Sequence, residues 1–205
     1  TVVWVTGDAT MTRVGAVDWT NKTVLYDLVE PYFARIREIY RAATGGASDE
    51  TEHSSGGEAC FEPSQPDGHE LDCDALGDEN EADEEFRIIS VMELLIVVMQ
   101  AMAATGWAGK LVLYVSDNTN VQRWIETRRS SNALVRYILN TLGCLELCFN
   151  FKILGAWMRT YHNVTADDLT RLAHGGSGDI IAKCALTVVN MPKNWSEFFE
   201  RGWQK

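Results

Sequence analysis

The chain is poor in the features that mark secreted, zinc-bound or membrane-spanning proteins. Its five cysteines, Cys60, Cys73, Cys144, Cys148 and Cys184, form no zinc-type double pair. Cys144 and Cys148 lie four apart on an apparent helix without a second pair or a histidine couple beside them. Buried free thiols in a reducing, intracellular setting (cytoplasmic or nuclear) are therefore expected. The opening Thr1-Val-Val-Trp-Val-Thr-Gly has neither the basic n-region nor the apolar stretch of a secretory signal. A threonine at position 1 reads as a piece of a longer protein. Only Ile88 to Ala104 is strongly apolar, and it carries Glu93 and Gln100 and falls short of a comfortable membrane span. A buried core helix and no membrane partner are expected, and no internal repeat is visible.

Basic residues are missing from one region altogether. Between Asp49 and Glu85 there are 15 Asp or Glu and no Lys or Arg, so the overall charge of −11 misdescribes the rest. The remainder carries 14 acidic against 18 basic residues, a net +4, which permits a nucleic-acid partner. With 46% apolar and 10% aromatic residues, 205 residues suffice for one domain with a sizeable core.

Three strands are expected first: Val2 to Asp8, Val14 to Trp19 and Thr23 to Val29, with Asn21-Lys22 as the hairpin turn. Pro31 to Ala43 fits a short helix with Tyr32, Ile36, Ile39 and Tyr40 on one face. Thr44 to Glu85 is dominated by Gly, Ser, Asp and Glu. It cannot bury enough apolar surface to offset ordering entropy, so a disordered acidic insertion is expected there. Phe86 to Thr105 is helical and apolar nearly all round. Lys110 to Ser116 is a strand apolar on both faces, and Thr119 to about Cys148 is helical with a break near Ser130-Ser131-Asn132. Phe151 to Trp157 is a fifth strand, and Thr165 to His174 is a short helix with a threonine cap and acidic first turn. Residues 1–174 form the domain. Residues 175–205 form a linker from Gly175 to Gly178 and a tail carrying Trp195, Phe198, Phe199 and Trp203, which would dock on a neighbouring domain.

Three acids sit where burial is costly. Asp8 and Asp117 end core strands, and Glu93 is flanked by Ile88, Ile89, Val91, Met92, Leu94, Leu95 and Ile96. An unpaired buried carboxylate costs several kcal/mol or takes up a proton. The nearest bases to Glu93 in sequence are Arg87 and Lys110, so Mg²⁺ or Mn²⁺, which favour hard oxygen ligands, are the expected compensation. Taken singly, each acid has an ordinary reading. A strand-ending aspartate is commonly a turn residue, and Asp167 and Asp168 in a helix first turn are commonly dipole-stabilising. Their joint order is more telling: first strand, first long helix, fourth strand, last helix.

In that order, Val5-Thr-Gly-Asp-Ala-Thr with Val14-Gly-Ala-Val, Met92-Glu-Leu-Leu, Val115-Ser-Asp-Asn and Asn163-Val-Thr-Ala-Asp-Asp-Leu-Thr-Arg171 resemble the type I ribonuclease H domain of retroelement polyproteins. The nearest likeness is to the domain that follows reverse transcriptase in Ty3/gypsy-like and tyrosine-recombinase retrotransposons. The resemblance spans Val2 to Arg171 apart from the insertion. It implies a ribonuclease H-like α/β fold, a five-stranded mixed sheet flanked by helices, with the acidic insertion before the first core helix. It also implies that Asp8, Glu93, Asp117 and Asp167 hold two Mg²⁺ or Mn²⁺ ions about 4 Å apart, with Asp168 the less favoured neighbour. The implied reaction is endonucleolytic hydrolysis of the RNA strand of an RNA–DNA hybrid, told from DNA by its 2′ hydroxyls. Adjoining partners would be reverse transcriptase or other domains of a polyprotein. A proofreading-type exonuclease would carry Asp-x-Glu in its first strand, where this chain has Asp8-Ala-Thr10. An integrase would place its glutamate after the fourth strand.

Other residues are candidates for supporting roles. Asn118 would orient a ligand or a nucleotide hydroxyl, or simply form the turn. Members of the family often carry a histidine in a loop before the last helix. Here His162 directly precedes Asn163, so it either substitutes or lies exposed. Arg123, Arg128, Arg129, Arg136 and Arg159 would contact backbone phosphates, or form a solvated helix face. The insertion is either a neutral spacer or a competitor for the basic surface. The rival to the enzyme is a catalytically weak or inactive ribonuclease H-like module for nucleic-acid binding or scaffolding.

Overall fold

The structure is a computed structural model that describes residues 1–45, 81–171 and 176–190. Residues 46–80, with Cys60 and Cys73, and the aromatic tail at Trp195, Phe198, Phe199 and Trp203 lie outside the described residues. The expectations placed on them are not addressed by it.

The valine-rich opening run forms β1 (Val2–Ala9), followed by β2 (Arg13–Asp18) and β3 (Thr23–Leu28) as an antiparallel meander. The β2–β3 turn is tightened by the Asp18 carboxylate, which accepts from the backbone N–H groups of Thr20 (3.0 Å) and Asn21 (2.8 Å). Lys22 completes it in the left-handed region at φ 55°. Next come α1 (Glu30–Gly45), α2 (Glu81–Ala103) and β4 (Leu111–Ser116), which pairs parallel to β1 from Val2 to Thr6. Then α3 (Thr119–Thr127) and α4 (Ala133–Phe149) lead into β5 (Lys152–Trp157), parallel to β4. The expected helix break is present over residues 128–132. Arg128 ends α3 in the left-handed region, and Asn132 caps α4 by accepting from Leu134 and Val135 N–H. A single 3₁₀ turn (Thr160–His162) precedes α5 (Val164–Arg171).

Several expectations are corrected here. The segment from Thr44 to Glu85, expected to be disordered, is helical at both of its described ends, residues 44–45 in α1 and 81–85 in α2. Among the described residues the sheet has six strands, not five, in the order β5-β4-β1-β2-β3-β6, because Thr187–Val188 forms β6 parallel to β3. Gly176 to Gly178, expected as linker, begin the helix α6 (Gly176–Lys183), since Ile181 and Cys184 pack against Val17, Val24 and Leu169. The last core helix starts at Val164, so Thr165 lies inside it and is not its cap.

The molecule is thus a mixed α/β structure: a six-stranded mixed sheet flanked by helices. One face is covered by α2, packed on β1 and β2 and itself covered by α3 and α4. From Val91 to Met99 every residue of α2 is buried, including Glu93. Although α2 is long and apolar enough to cross a membrane, most of it lies inside this fold. The other face is covered over β1 and β2 by α5. Beyond that cover Trp4 on β1 and Leu154 on β5 stay largely exposed and Leu111 and Leu113 are only half-buried, so β4 is not buried on both faces as expected. At Gly155 a Cβ would lie 2.9 Å from the Gln122 carbonyl, so glycine is what lets α3 lie close on β5. Cys144, Cys148 and Cys184 are free, the first two exposed rather than buried as expected.

Candidate metal centre

The carboxyl ends of β1 and β4 define the site. The chain leaves β1 towards β2 on one side and β4 towards β5 on the other, so a crevice opens where these adjacent parallel strands part. Ligands of open α/β sheets bind at such a point. Asp8 lies on β1 just beyond its last pairing with β4, and Asp117 directly follows β4. Glu93 reaches the same crevice from the middle of α2. One carboxylate oxygen from each of Asp8, Glu93 and Asp117 lies within 4.8 Å of the others.

Neutral donors hold these acids. Glu93, 4% exposed, accepts from the Ser116 hydroxyl through Oε2 (2.8 Å) and from Asn118 Nδ2 through Oε1 (3.2 Å). Asn118 Nδ2 also donates to Ser90 Oγ (2.8 Å), and Asn118 N–H donates to Ser116 Oγ (2.9 Å). The Asn118 Oδ1 caps α3 by accepting from Asn120 N–H (3.0 Å). Asn118 therefore takes the turn role at the start of α3 and also donates to Glu93. The Thr170 hydroxyl is within reach of Asp8 Oδ2 and of the Asp167 carbonyl (2.9 Å).

Burial raises the Glu93 carboxyl from 4.5 to about 8, helped by the Asp8 charge and opposed by the Ser116 and Asn118 hydrogen bonds. Burial likewise raises Asp8 from 3.8 to about 6, against the Thr170 hydrogen bond and with the charges of Asp117 and Asp167. What opposes the burial cost is hydroxyl and amide hydrogen bonding, not a neighbouring positive charge. Tyr114 lies beneath the cluster, fully buried, and its Oη has no hydrogen-bond partner. Burial and the charges of Glu93, Asp8 and Asp117 hold this phenol well above its ordinary value. A Cβ at residue 7 would collide with Tyr114 Oη, so Gly7 is required above it.

Of the four expected ligands the structure brings three together. Asp167 stands at the rim, half-buried, with Oδ1 2.6 Å from Arg171 Nε. It is close enough for its charge to act on Asp8. Asp168 is half-buried on the same helix and joins no part of the cluster. His162 is exposed, with its ring 4.2 Å from that of Tyr161.

The arginines divide. Arg123, Arg129 and Arg136 are exposed on α3, the following loop and α4, and Arg136 Nη1 donates to the Ser130 carbonyl (3.2 Å). Arg159 is exposed beside the crevice. Arg128 is engaged in the fold: its Nη2 donates to Glu146 Oε1 (2.9 Å) and to the Ile153 carbonyl (3.2 Å). Glu146 also takes the Ile153 N–H (2.7 Å) and lies 3.3 Å from Lys152 Nζ. Sequence reasoning missed Ser90, Ser116, Thr170 and Tyr114. Ser90 alone left a signal, standing three residues before Glu93 and hence on the same helix face.

Three carboxylate oxygens at this spacing suit a small hard cation. Around octahedral Mg²⁺, with oxygens at about 2.1 Å, neighbouring ligands stand about 3 Å apart and only one pair of three can stand opposite at about 4.2 Å, so the three carboxylates would draw together on a cation. No known family model, curated protein or solved structure matches the chain.

Proposed function

We propose that the chain is a ribonuclease H-like, metal-dependent endonuclease that hydrolyses the RNA strand of RNA–DNA hybrids and derives from a retroelement. One observation carries the reading: two buried carboxylates, from β1 and α2, converge with a half-buried third at the end of β4 where two parallel strands part, and among the described residues the donors that hold the buried pair are neutral. Asp8, Glu93 and Asp117 would hold Mg²⁺ or Mn²⁺, and Asp167 at the rim would complete a two-ion set once released from Arg171. Bound there, the ions supply charge stabilisation for an in-line attack of water on phosphorus and for the departing 3′ oxygen. Ser116 and Asn118 fix both oxygens of Glu93, while Thr170 fixes Asp8, so the ligands are oriented before a cation arrives. The likeness to polyprotein domains makes an adjoining reverse transcriptase the expected neighbour.

The test is cleavage of an end-labelled RNA–DNA hybrid in Mg²⁺ or Mn²⁺ by wild type, Asp8→Asn and Glu93→Gln. Metal-dependent cleavage by wild type, lost by at least two orders of magnitude in both variants, is expected. The Asp167–Arg171 pair favours a second reading, a non-catalytic module that binds nucleic acid. Hybrid binding without cleavage by wild type in either metal would select it.

A further inference from the structure

The stretch between β5 and α5 is fastened at both ends to the strand ends that carry the acids. At its start, Trp157 Nε1 donates to the Asp117 carbonyl (3.1 Å) and Met158 N–H to the Ser116 carbonyl (2.9 Å). At its end, Asn163 Nδ2 donates to the carbonyl of Gly7, the residue before Asp8 (3.0 Å). The 3₁₀ turn therefore spans the mouth of the crevice, and what it displays stands at the rim of the carboxylate cluster.

What it displays is aromatic and cationic. Trp157 is 48% exposed and Tyr161 61% exposed. The Tyr161 and His162 rings stand 4.2 Å apart at 53°, and Arg159 Nη1 donates to Tyr161 Oη (3.0 Å). Neither Trp157 nor Tyr161 belongs to the apolar core. Trp157 ends β5, while Tyr161 lies on the fastened turn with the Arg159 guanidinium carbon 5.9 Å from its ring centroid, so the exposed Tyr161 ring is a preset stacking surface with a phosphate partner next to it. Nucleobases stack on such rings regardless of sequence, and arginine pairs with phosphate in a fixed fork geometry.

Resting on the nuclease reading, we infer that Tyr161 forms a base-stacking platform, with Arg159 on the adjoining phosphate. The platform takes an unpaired nucleotide flanking the strand offered to the carboxylates. Bases inside a duplex already have both faces stacked, so only a strand end or a single-stranded extension can use it. The preferred substrate is accordingly a hybrid whose RNA strand runs on unpaired, rather than a blunt one.

The experiment measures fluorescence anisotropy of two labelled 12-base-pair RNA–DNA hybrids, one blunt and one with a four-nucleotide RNA extension at each end. Binding is measured in Mg²⁺ with Asp8→Asn protein, so that hydrolysis plays no part. The extended hybrid should bind on the order of tenfold tighter, the range expected for stacking one base. Adding Tyr161→Ala should erase most of that advantage while leaving blunt-hybrid affinity near its former value, and Tyr161→Phe should retain it. Tyr161 is exposed, so folding is not at stake, and unchanged thermal melting checks this. Equal affinity for the two hybrids, or an advantage that survives Tyr161→Ala, overturns the proposal. Should wild type prove unable to cleave while the Tyr161-dependent preference stands, the nuclease reading fails and the platform does not.

Discussion

Replacing Glu93 by glutamine separates the cost of this acid from its use. In the metal-free protein the Glu93 carboxyl is raised from 4.5 to about 8, chiefly by burial. Between those values the folded state keeps a proton that the unfolded state has released, so stability falls as pH rises through that window. At about 1.4 kcal/mol per pKa unit, the loss between pH 5 and pH 8 attributable to Glu93 is on the order of 3 kcal/mol. Glutamine keeps the shape, and its oxygen still accepts from Asn118 while its amide donates to the Ser116 hydroxyl. It has no proton to release. Urea denaturation in EDTA should therefore show wild type weakening between pH 5 and pH 8 by about 3 kcal/mol more than Glu93→Gln. Asp8, raised to about 6, contributes the same sign to both proteins. Adding Mg²⁺ or Mn²⁺ should recover part of that difference at pH 8, and only in the protein that binds the cation. A cation at ten times its Kd adds about 1.4 kcal/mol to the protein that binds it, and it needs the acids deprotonated. Parallel pH profiles for the two proteins in EDTA would refute the burial argument, and equal stabilisation of both by metal would refute the assignment of Glu93 as a ligand.

Gly7→Ala should destabilise the protein by roughly 1–3 kcal/mol, because its Cβ meets the buried Tyr114 phenol. Tyr114→Phe alone should be neutral or mildly stabilising, since it removes a buried hydroxyl without a partner, and should recover part of the Gly7→Ala loss. Strict additivity of the two in urea unfolding would contradict this packing. Arg128→Ala should cost roughly 3 kcal/mol by leaving Glu146 buried without its closest cation, yet leave hybrid affinity of the folded protein unchanged. A selective loss of affinity at full stability would return Arg128 to the nucleic-acid surface.

The acids of the crevice were legible because burial and charge conflict locally. Leu, Ile, Val and Met flank Glu93, and Asp8 and Asp117 end apolar strands, so proximity needs no tertiary knowledge to be suspected. Their partners were not legible. Serines and threonines are ordinary in apolar runs, and apart from the helical spacing of Ser90 to Glu93, only the meeting of α2 with the end of β4 makes Ser116 a partner of Glu93 and Ser90 a partner of Asn118. The sixth strand was hidden for a similar reason: two residues at Thr187–Val188 carry no period, and pairing with β3 alone makes them a strand. Glycines 176 and 178 argued for a linker by propensity, which packing of Ile181 overrode.

Glu146 shows what the sequence clue leaves undecided. It too is an acid among apolar residues of a helix, between Leu145 and Leu147, and it is buried like Glu93. The fold answers its charge with Arg128 and Lys152 and with the Ile153 N–H. A buried acid answered by cations is explained as structure. Glu93 stands near two further carboxylates, and among the described residues it is held by hydroxyl and amide donors, so its charge stays costly without a cation. The two glutamates are alike in sequence setting and opposite in electrostatic outcome. That difference, rather than burial itself, makes the crevice of Asp8, Glu93 and Asp117 the candidate metal centre.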